Sequence, residues 1–396
     1  MSYDRRDLLR LMGAAGAASF LPGASLALGR APTDRRLIII FQRGAQDGLQ
    51  ALVPYSDPFY YRYRPGIAIP KPGTANGALD LDGRFGLHPA LTEFHKLWQA
   101  GDLAPIPAIA SRYRERSHFD GQNLIENGSG TPFGANDGFL NRALQGFDDA
   151  DARLGMAFGY TVPLALRGEA GVRSWSPSTF PEADGDFLMR LADSYRDDPV
   201  FAQAIEEGIA PMEGMADLSQ REKRQAVRAQ TMAPAAQAAA DALSTADGPR
   251  IALIESNGWD THNAITGRLN RLFADLDQAM GILRTGMADV WDDTLIITMS
   301  EFGRTARENG SAGTDHGTGG VSFVAGGAVE GGKIHGGWTG LGEGALYEDR
   351  DVAPVNSLES LLKAAIGPHM GLPMTYLDMV VLPDSDAIGP MKGLLG

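Results

Sequence analysis

Short unbroken runs of β-branched and apolar residues recur along the chain, and each gives way to a polar, glycine-rich stretch. Residues 35–41 contain Leu37-Ile38-Ile39-Ile40-Phe41, a run without alternation, as expected for a strand buried on both faces. It ends in Gln42-Arg43-Gly44-Ala45-Gln46-Asp47-Gly48, a glycine-flanked turn that presents Arg43 and Asp47. Residues 103–110, 250–255 and 294–299 repeat the form, and residues 321–325 predict one more strand. Residues 156–166 suggest one or two short strands, and residues 334–338 a hairpin.

Helical spacing fills the intervals. Leu91, Phe94, Leu97 and Trp98 predict a helix within residues 87–100, and Leu269, Leu272, Phe273, Leu276, Met280 and Leu283 form a buried stripe on another. Ser117 with Asp120 three residues on has the form of a capping box, so a helix is predicted to begin there and run toward Asn127. Residues 183–245 look largely helical, with one long helix over 219–243, and residues 357–366 predict a last helix. Residues 54–84, punctuated by proline, tyrosine and glycine, read as a long excursion or lid. Strands alternating with helices imply an α/β fold, a three-layer α/β/α sandwich around a mostly parallel sheet. With no internal repeat and no low-complexity linker, one domain over residues 34–396 is expected.

Composition narrows the function classes. A chain of 396 residues with 43% hydrophobic content can bury a large core. A formal charge of -14 without a basic patch excludes nucleic acid as the expected partner. The N-terminus reads as an export signal: Arg5-Arg6, a Gly/Ala-rich apolar run over residues 11–28, and Ser25-Leu26-Ala27 as a small-x-small cleavage site. The paired arginines resemble a twin-arginine signal over residues 1–27, which places the mature chain in the periplasm; the rival reading is an uncleaved anchor. After cleavage no stretch is long and apolar enough to span a bilayer. The absence of cysteine fits an exported chain without disulfides, excludes thiol catalysis, and leaves histidine and carboxylate as the metal ligands.

Four strand-end segments carry the candidate chemistry: Asp47; Ser117 with His118 and Asp120; Asp260 with His262; and Glu301 with Asp315 and His316. In a parallel sheet the strand C-termini share one edge, so groups scattered in sequence can converge there. Carboxylates with imidazoles suit zinc, manganese, magnesium or calcium, as one ion or two. Ser117 reads either as a helix cap or as a nucleophile at a helix N-terminus. Arg43 and Arg304 can fork onto phosphate or sulfate oxygens, alongside Arg112 and Arg114. Asp47 and Asp260 have turn-closing alternatives, and Glu301 has Arg304 as an ion-pair alternative. His88, His95, His335 and His369 read as structural or surface residues.

Taken in order, residues 41–49, Ser117-His118-Phe119-Asp120, Gly258-Trp259-Asp260-Thr261-His262, residues 300–305 and Thr314-Asp315-His316-Gly317 resemble the exported bacterial family DUF1501. That family looks like a distant branch of the alkaline phosphatase and sulfatase superfamily, with an α/β/α fold and a metal site at the carboxyl edge of the sheet. The resemblance implies that Asp47, Asp260, His262, Glu301, Asp315 and His316 ligate metal and that Ser117 is a rough match to the nucleophile. Arg43, His118 and Arg304 are the substrate-binding set. Phe302 stands where the superfamily pattern has a histidine, and no sulfatase signature is present.

Two functions follow as expectations. One is an exported metal-dependent hydrolase of phosphate or sulfate esters, acting on an anionic substrate. The other is a non-catalytic periplasmic protein that uses the same fold to bind an envelope glycan or a protein partner. A redox role has no support, because haem and dinucleotide motifs are both missing.

Overall fold

The computed structural model of the chain describes residues 32–147, 154–159, 161–177 and 231–396. Residues 1–27 and most of the helical stretch expected over 183–245 lie outside the described residues. Among the described residues no helix is long and apolar enough to cross a membrane.

The chain forms an eight-stranded sheet in the order β11-β5-β10-β9-β1-β8-β6-β7. Its strands are β1 (Arg36–Gln42), β5 (Leu103–Ala110), β6 (Gly155–Phe158), β7 (Arg173–Trp175), β8 (Ile251–Ser256), β9 (Thr294–Met299), β10 (Gly320–Ala325) and β11 (Asn356–Ser357). A separate three-stranded sheet, in the order β2-β4-β3, joins β2 (Leu52–Val53), β3 (Leu79–Asp80) and β4 (Gly86–Leu87). In the large sheet β1 pairs in parallel with β8 and β9, β6 in parallel with β7 and β8, and β11 in parallel with β5. Only β10 opposes its neighbours, running antiparallel to both β5 and β9.

The unbroken apolar runs have the expected cause. Every residue of β1 and β9 is buried. Leu37, Ile39 and Phe41 enter one core while Ile38 and Ile40 enter the other. The first core is closed by α3 (His118–Asn127), α4 (Phe139–Gln145) and α7 (Leu358–Ala364). The second is closed by α2 (Thr92–Ala100), α5 (Ala233–Ser244) and α6 (Ile265–Gly286), whose Leu269, Phe273, Leu276, Met280 and Leu283 form the stripe read from the sequence. Fully burying each such side chain contributes about 1.5–3 kcal/mol. The result is the three-layer α/β/α sandwich with a mostly parallel sheet.

Two local expectations are corrected. Residues 54–84 are not a lid: α1 (Pro58–Tyr63) packs Tyr60 inward, and Arg64 just after it is fully buried. Residues 334–338 form no hairpin, because the side chain of Asn356 occupies both the N–H and the carbonyl of Gly337 that a strand partner would need.

Candidate metal centre

The sheet brings five segments to one edge. β1, β8, β9 and β5 each end there and release residues 43–47, 257–262, 300–305 and 111–118. Because β10 is antiparallel, it is the loop before it, residues 313–319, that reaches this edge. A strand of the opposite sense would have placed Asp315 and His316 at the far end of the sheet.

Three imidazoles and one carboxylate meet at this edge. His316 Nε2 lies 3.0 Å from His118 Nε2 and 3.0 Å from His262 Nε2. Asp260 Oδ1 lies 2.9 Å from His262 Nε2, 3.3 Å from His316 Nε2 and 3.5 Å from His118 Nε2. The ligand atoms of His118, Asp260 and His316 all fall within 4.8 Å of one another, with His262 adjoining two of them.

The opposite ring nitrogens orient the three rings. His316 Nδ1 faces the carbonyl of Arg116 at 3.0 Å, a group that only accepts, so the proton sits on Nδ1. His118 Nδ1 faces Glu301 Oε1 at 2.7 Å, and His262 Nδ1 faces Asp315 Oδ1 at 3.2 Å. Both carboxylates are held ionised. Burial works against Glu301, but the hydrogen bonds from His118, Gln122 and Gly44 outweigh it and lower its pKa. Asp315 is lowered first by the amide of Asn309 and then by His262. All three rings therefore turn Nε2 toward the same carboxylate oxygen, an arrangement in which they can share protons with Asp260 and with one another or ligate a cation.

The cluster's own positive charge is limited. The Glu301 carboxylate that accepts its Nδ1–H holds His118 above the ordinary imidazole range, whereas burial lowers His316. Arg304 donates to Asp260 Oδ1 at 2.6 Å. Burial of Asp260 opposes its ionisation, yet this guanidinium and the neighbouring imidazoles bring its pKa down to about 2. It is a carboxylate throughout the physiological range.

The residues singled out in the sequence fall into distinct groups. Asp260, His262 and His316 converge, and His118, expected beside the substrate, converges with them. Glu301 and Asp315 face the Nδ1 atoms instead of the converging point. Glu301 Oε1 also accepts from Gly44 N at 2.8 Å and from Gln122 Nε2 at 2.9 Å. Asp47 stands apart: it is fully buried, its Oδ1 is 2.9 Å from Arg64, and its Oδ2 accepts from Thr314 Oγ1 at 3.1 Å.

Arg43 and Arg304 are internal ties, not open anion receptors. Arg43 is paired with Glu255 at 2.6 Å and Glu126 at 2.7 Å. Arg304 is buried and donates to the carbonyls of Ala45, Gly44, Trp259 and Thr314, locking three of the loops together. Ser117 occupies the N-cap position of α3, but its side chain makes no capping bond, so the expected capping box is absent. Asp120 instead accepts weakly from Tyr113, whose hydroxyl also accepts from Ser117 N at 3.1 Å. Tyr113 thus engages both the backbone and the side chain of Ser117.

Sequence reasoning missed Gln122, Asn309 and Arg116. Gln122 lies one helical turn beyond His118 and had that spacing as a signal. Asn309 donates to the His262 carbonyl at 2.9 Å, and Arg116 serves through its backbone carbonyl, which has no signature in a sequence.

A model of the family DUF1501, "Protein of unknown function (DUF1501)", matches residues 106–379. None of the curated proteins matches the chain. Among solved structures, "Ps i-CgsB in complex with k-i-k-neocarrahexaose" aligns at 10% identity over 91% of this chain and 76% of that one, with a TM-score of 0.39. The alkaline phosphatase from the Antarctic bacterium TAB5 aligns at 14% identity over 74% and 91% of the two chains, with a TM-score of 0.32. A protein in the alkaline phosphatase superfamily from Vibrio parahaemolyticus aligns at 12% identity over 94% and 79%, with a TM-score of 0.33.

Proposed function

This chain belongs to the DUF1501 family, and from that premise we propose that it is an exported metal-dependent hydrolase of phosphate or sulfate esters. The observation that carries the reading is the convergence of three imidazole Nε2 atoms on one carboxylate oxygen. His118, His316 and Asp260 would hold the ion, with His262 beside them. Imidazole nitrogen with carboxylate oxygen and no thiolate suits zinc or manganese better than an all-oxygen calcium site. A bound divalent ion would supply Lewis acidity toward the ester oxygens.

The chain's own residues supply orientation and proton handling. Glu301, Asp315 and the Arg116 carbonyl face the three Nδ1 atoms, so each Nε2 points inward. The N-terminus of α3 turns its uncapped N–H groups and dipole toward the same edge, where they favour an ester anion. The Ser117 hydroxyl, at the N-terminus of α3, is the nucleophile candidate. Export through the twin-arginine signal to the periplasm belongs to the same reading.

The test is elemental analysis of the purified chain with assays on aryl phosphates and aryl sulfates. Wild type is expected to carry near-stoichiometric zinc or manganese and to hydrolyse one ester class. His316→Ala and Asp260→Asn are expected to lose both metal and turnover while retaining the fold. Full activity in either variant, or a folded wild-type chain that takes up no divalent ion on titration, sinks the proposal.

A further inference from the structure

Beside the metal-site edge lies an open cleft of about 640 Å³, within the range of small-molecule sites. Its walls are Phe59, Arg62 and Tyr63 of α1, Arg307 from the loop that follows Arg304, and Glu343 and Asp349 from the segment before β11. Arg307 lies over the Tyr63 ring at 4.0 Å and Arg62 over the Phe59 ring at 5.7 Å. The two rings sit 5.6 Å apart at 56°. Stacking orders each guanidinium and leaves the N–H groups of its edge open. Neither arginine has an ion-pair partner among the described residues, in contrast to the paired Arg43, Arg64, Arg116 and Arg142.

The acids of the cleft decide what it can take. Glu343 and Asp349 also lack an ion pair among the described residues, while the Glu308 carboxylate at the rim accepts from Gly66 N. Acidic groups therefore equal or outnumber the arginines, on a chain whose formal charge is -14. A dense polyanion is repelled here. Ordered donors alternating with unpaired carboxylate acceptors instead match hydroxyl groups, which donate and accept at once.

The cleft shares its walls with the metal-site supports. Glu308 precedes Asn309, whose side chain bonds the His262 carbonyl and Asp315. Asp349 is flanked by Glu348, which pairs with the Arg116 side chain, and the Arg116 carbonyl in turn holds His316. Glu348 and Asp349 both adopt left-handed backbone conformations (φ +51° and +52°), a strain that fixes the shape of this wall.

From this arrangement we propose that the cleft is a saccharide-binding site for a neutral or sparsely charged oligosaccharide. Its role as the holder of the non-reacting part of the ester substrate rests on the hydrolase reading above, whereas binding is measured without turnover. The experiment is a microarray of neutral, amino and multiply sulfated oligosaccharides probed with the whole chain and with an Arg62→Ala/Arg307→Ala variant. Both arginines are solvent-exposed, so the variant is expected to match the parent in melting curve and metal content. Neutral or amino oligosaccharides should be retained, with about tenfold or greater loss in the variant. No retention by the parent, retention unchanged in the variant, or retention that rises with sulfate count would each overturn the proposal. His316→Ala separates the two readings: it should lose metal and keep the saccharide, whereas a wild-type chain that takes up no metal yet binds saccharide refutes the hydrolase alone.

Discussion

Two polar clusters lie side by side at the carboxyl edge of the sheet, joined through Thr314-Asp315-His316, and they are built on opposite terms. In the first, Asp47 and Arg64 are both fully buried and every charged atom has a complementary partner. Asp47 accepts from Arg64, Gln50 N and Thr314, and Arg64 donates onward to the carbonyls of Thr305 and Ala306. In the second, half-exposed His262 and Asp260 and less exposed His118 and His316 turn their Nε2 and Oδ1 atoms toward one another. Complementary burial in the first stabilises the fold, while the second leaves imidazole and carboxylate groups partly open to solvent at the same edge. The Asp47 position shows why residue type alone does not identify a ligand.

The largest effect should come from breaking the first cluster. Asp47→Ala or Arg64→Ala leaves a buried charge uncompensated and should cost about 3–5 kcal/mol in urea unfolding. A cost below about 1 kcal/mol would show that the pair is not the satisfied anchor described here.

The histidines extend the contrast. Burial pushes His88 and His369 down to about 4, and each keeps one ring nitrogen bonded to the backbone. Unfolded, these rings take a proton near pH 6.5; folded, they resist until near pH 4. Between those values the unfolded state binds more protons, so stability falls as pH is lowered, by about 3 kcal/mol for each ring. His118 has the opposite sign: its raised pKa adds stability below the unfolded value, and this is lost as pH rises through the folded one. His369→Gln, whose amide can still donate to the Arg36 carbonyl, should flatten the acid limb in calorimetry. An unchanged limb would place the acid sensitivity elsewhere.

The smallest of these effects probes the far side of the proposed metal site. Glu301→Gln keeps the shape but weakens the hold on His118 Nδ1, and should loosen metal binding about 10–100-fold, equivalent to about 1.4–2.8 kcal/mol. Isothermal titration with zinc would measure it. An unaltered affinity would remove Glu301 from the supporting set.

Much of the fold was legible because buried strands and helix stripes are local patterns. The runs at β1, β5, β8 and β9 could be placed to within about two residues, since strands covered on both faces admit few polar positions. The lid alternative for residues 54–84 failed because tyrosine and arginine look like surface residues until a partner such as Asp47 is known. For the site, Asp260, His262 and His316 were recognisable as strand-end groups. The sharing of roles between His118 and Glu301 was not, because it depends on which ring nitrogen faces which neighbour 183 residues away.

What the chain determined on its own was its alternation of buried strands and covering helices, its glycine-rich turns and its chemical repertoire of imidazole, carboxylate and hydroxyl without thiol. Those properties follow from periodicity and composition, which act over a few residues. The tertiary structure decided that β10 runs against its neighbours and so delivers His316 to within 3.0 Å of His118, 198 residues away. It also decided that Arg43 and Arg304 are internal ties, and that Arg62 and Arg307, without an ion pair among the described residues, line the adjacent cleft. Strand order and direction are set by the packing of the whole sheet, and the same side chain serves as ligand, support or anchor according to what that packing places opposite it.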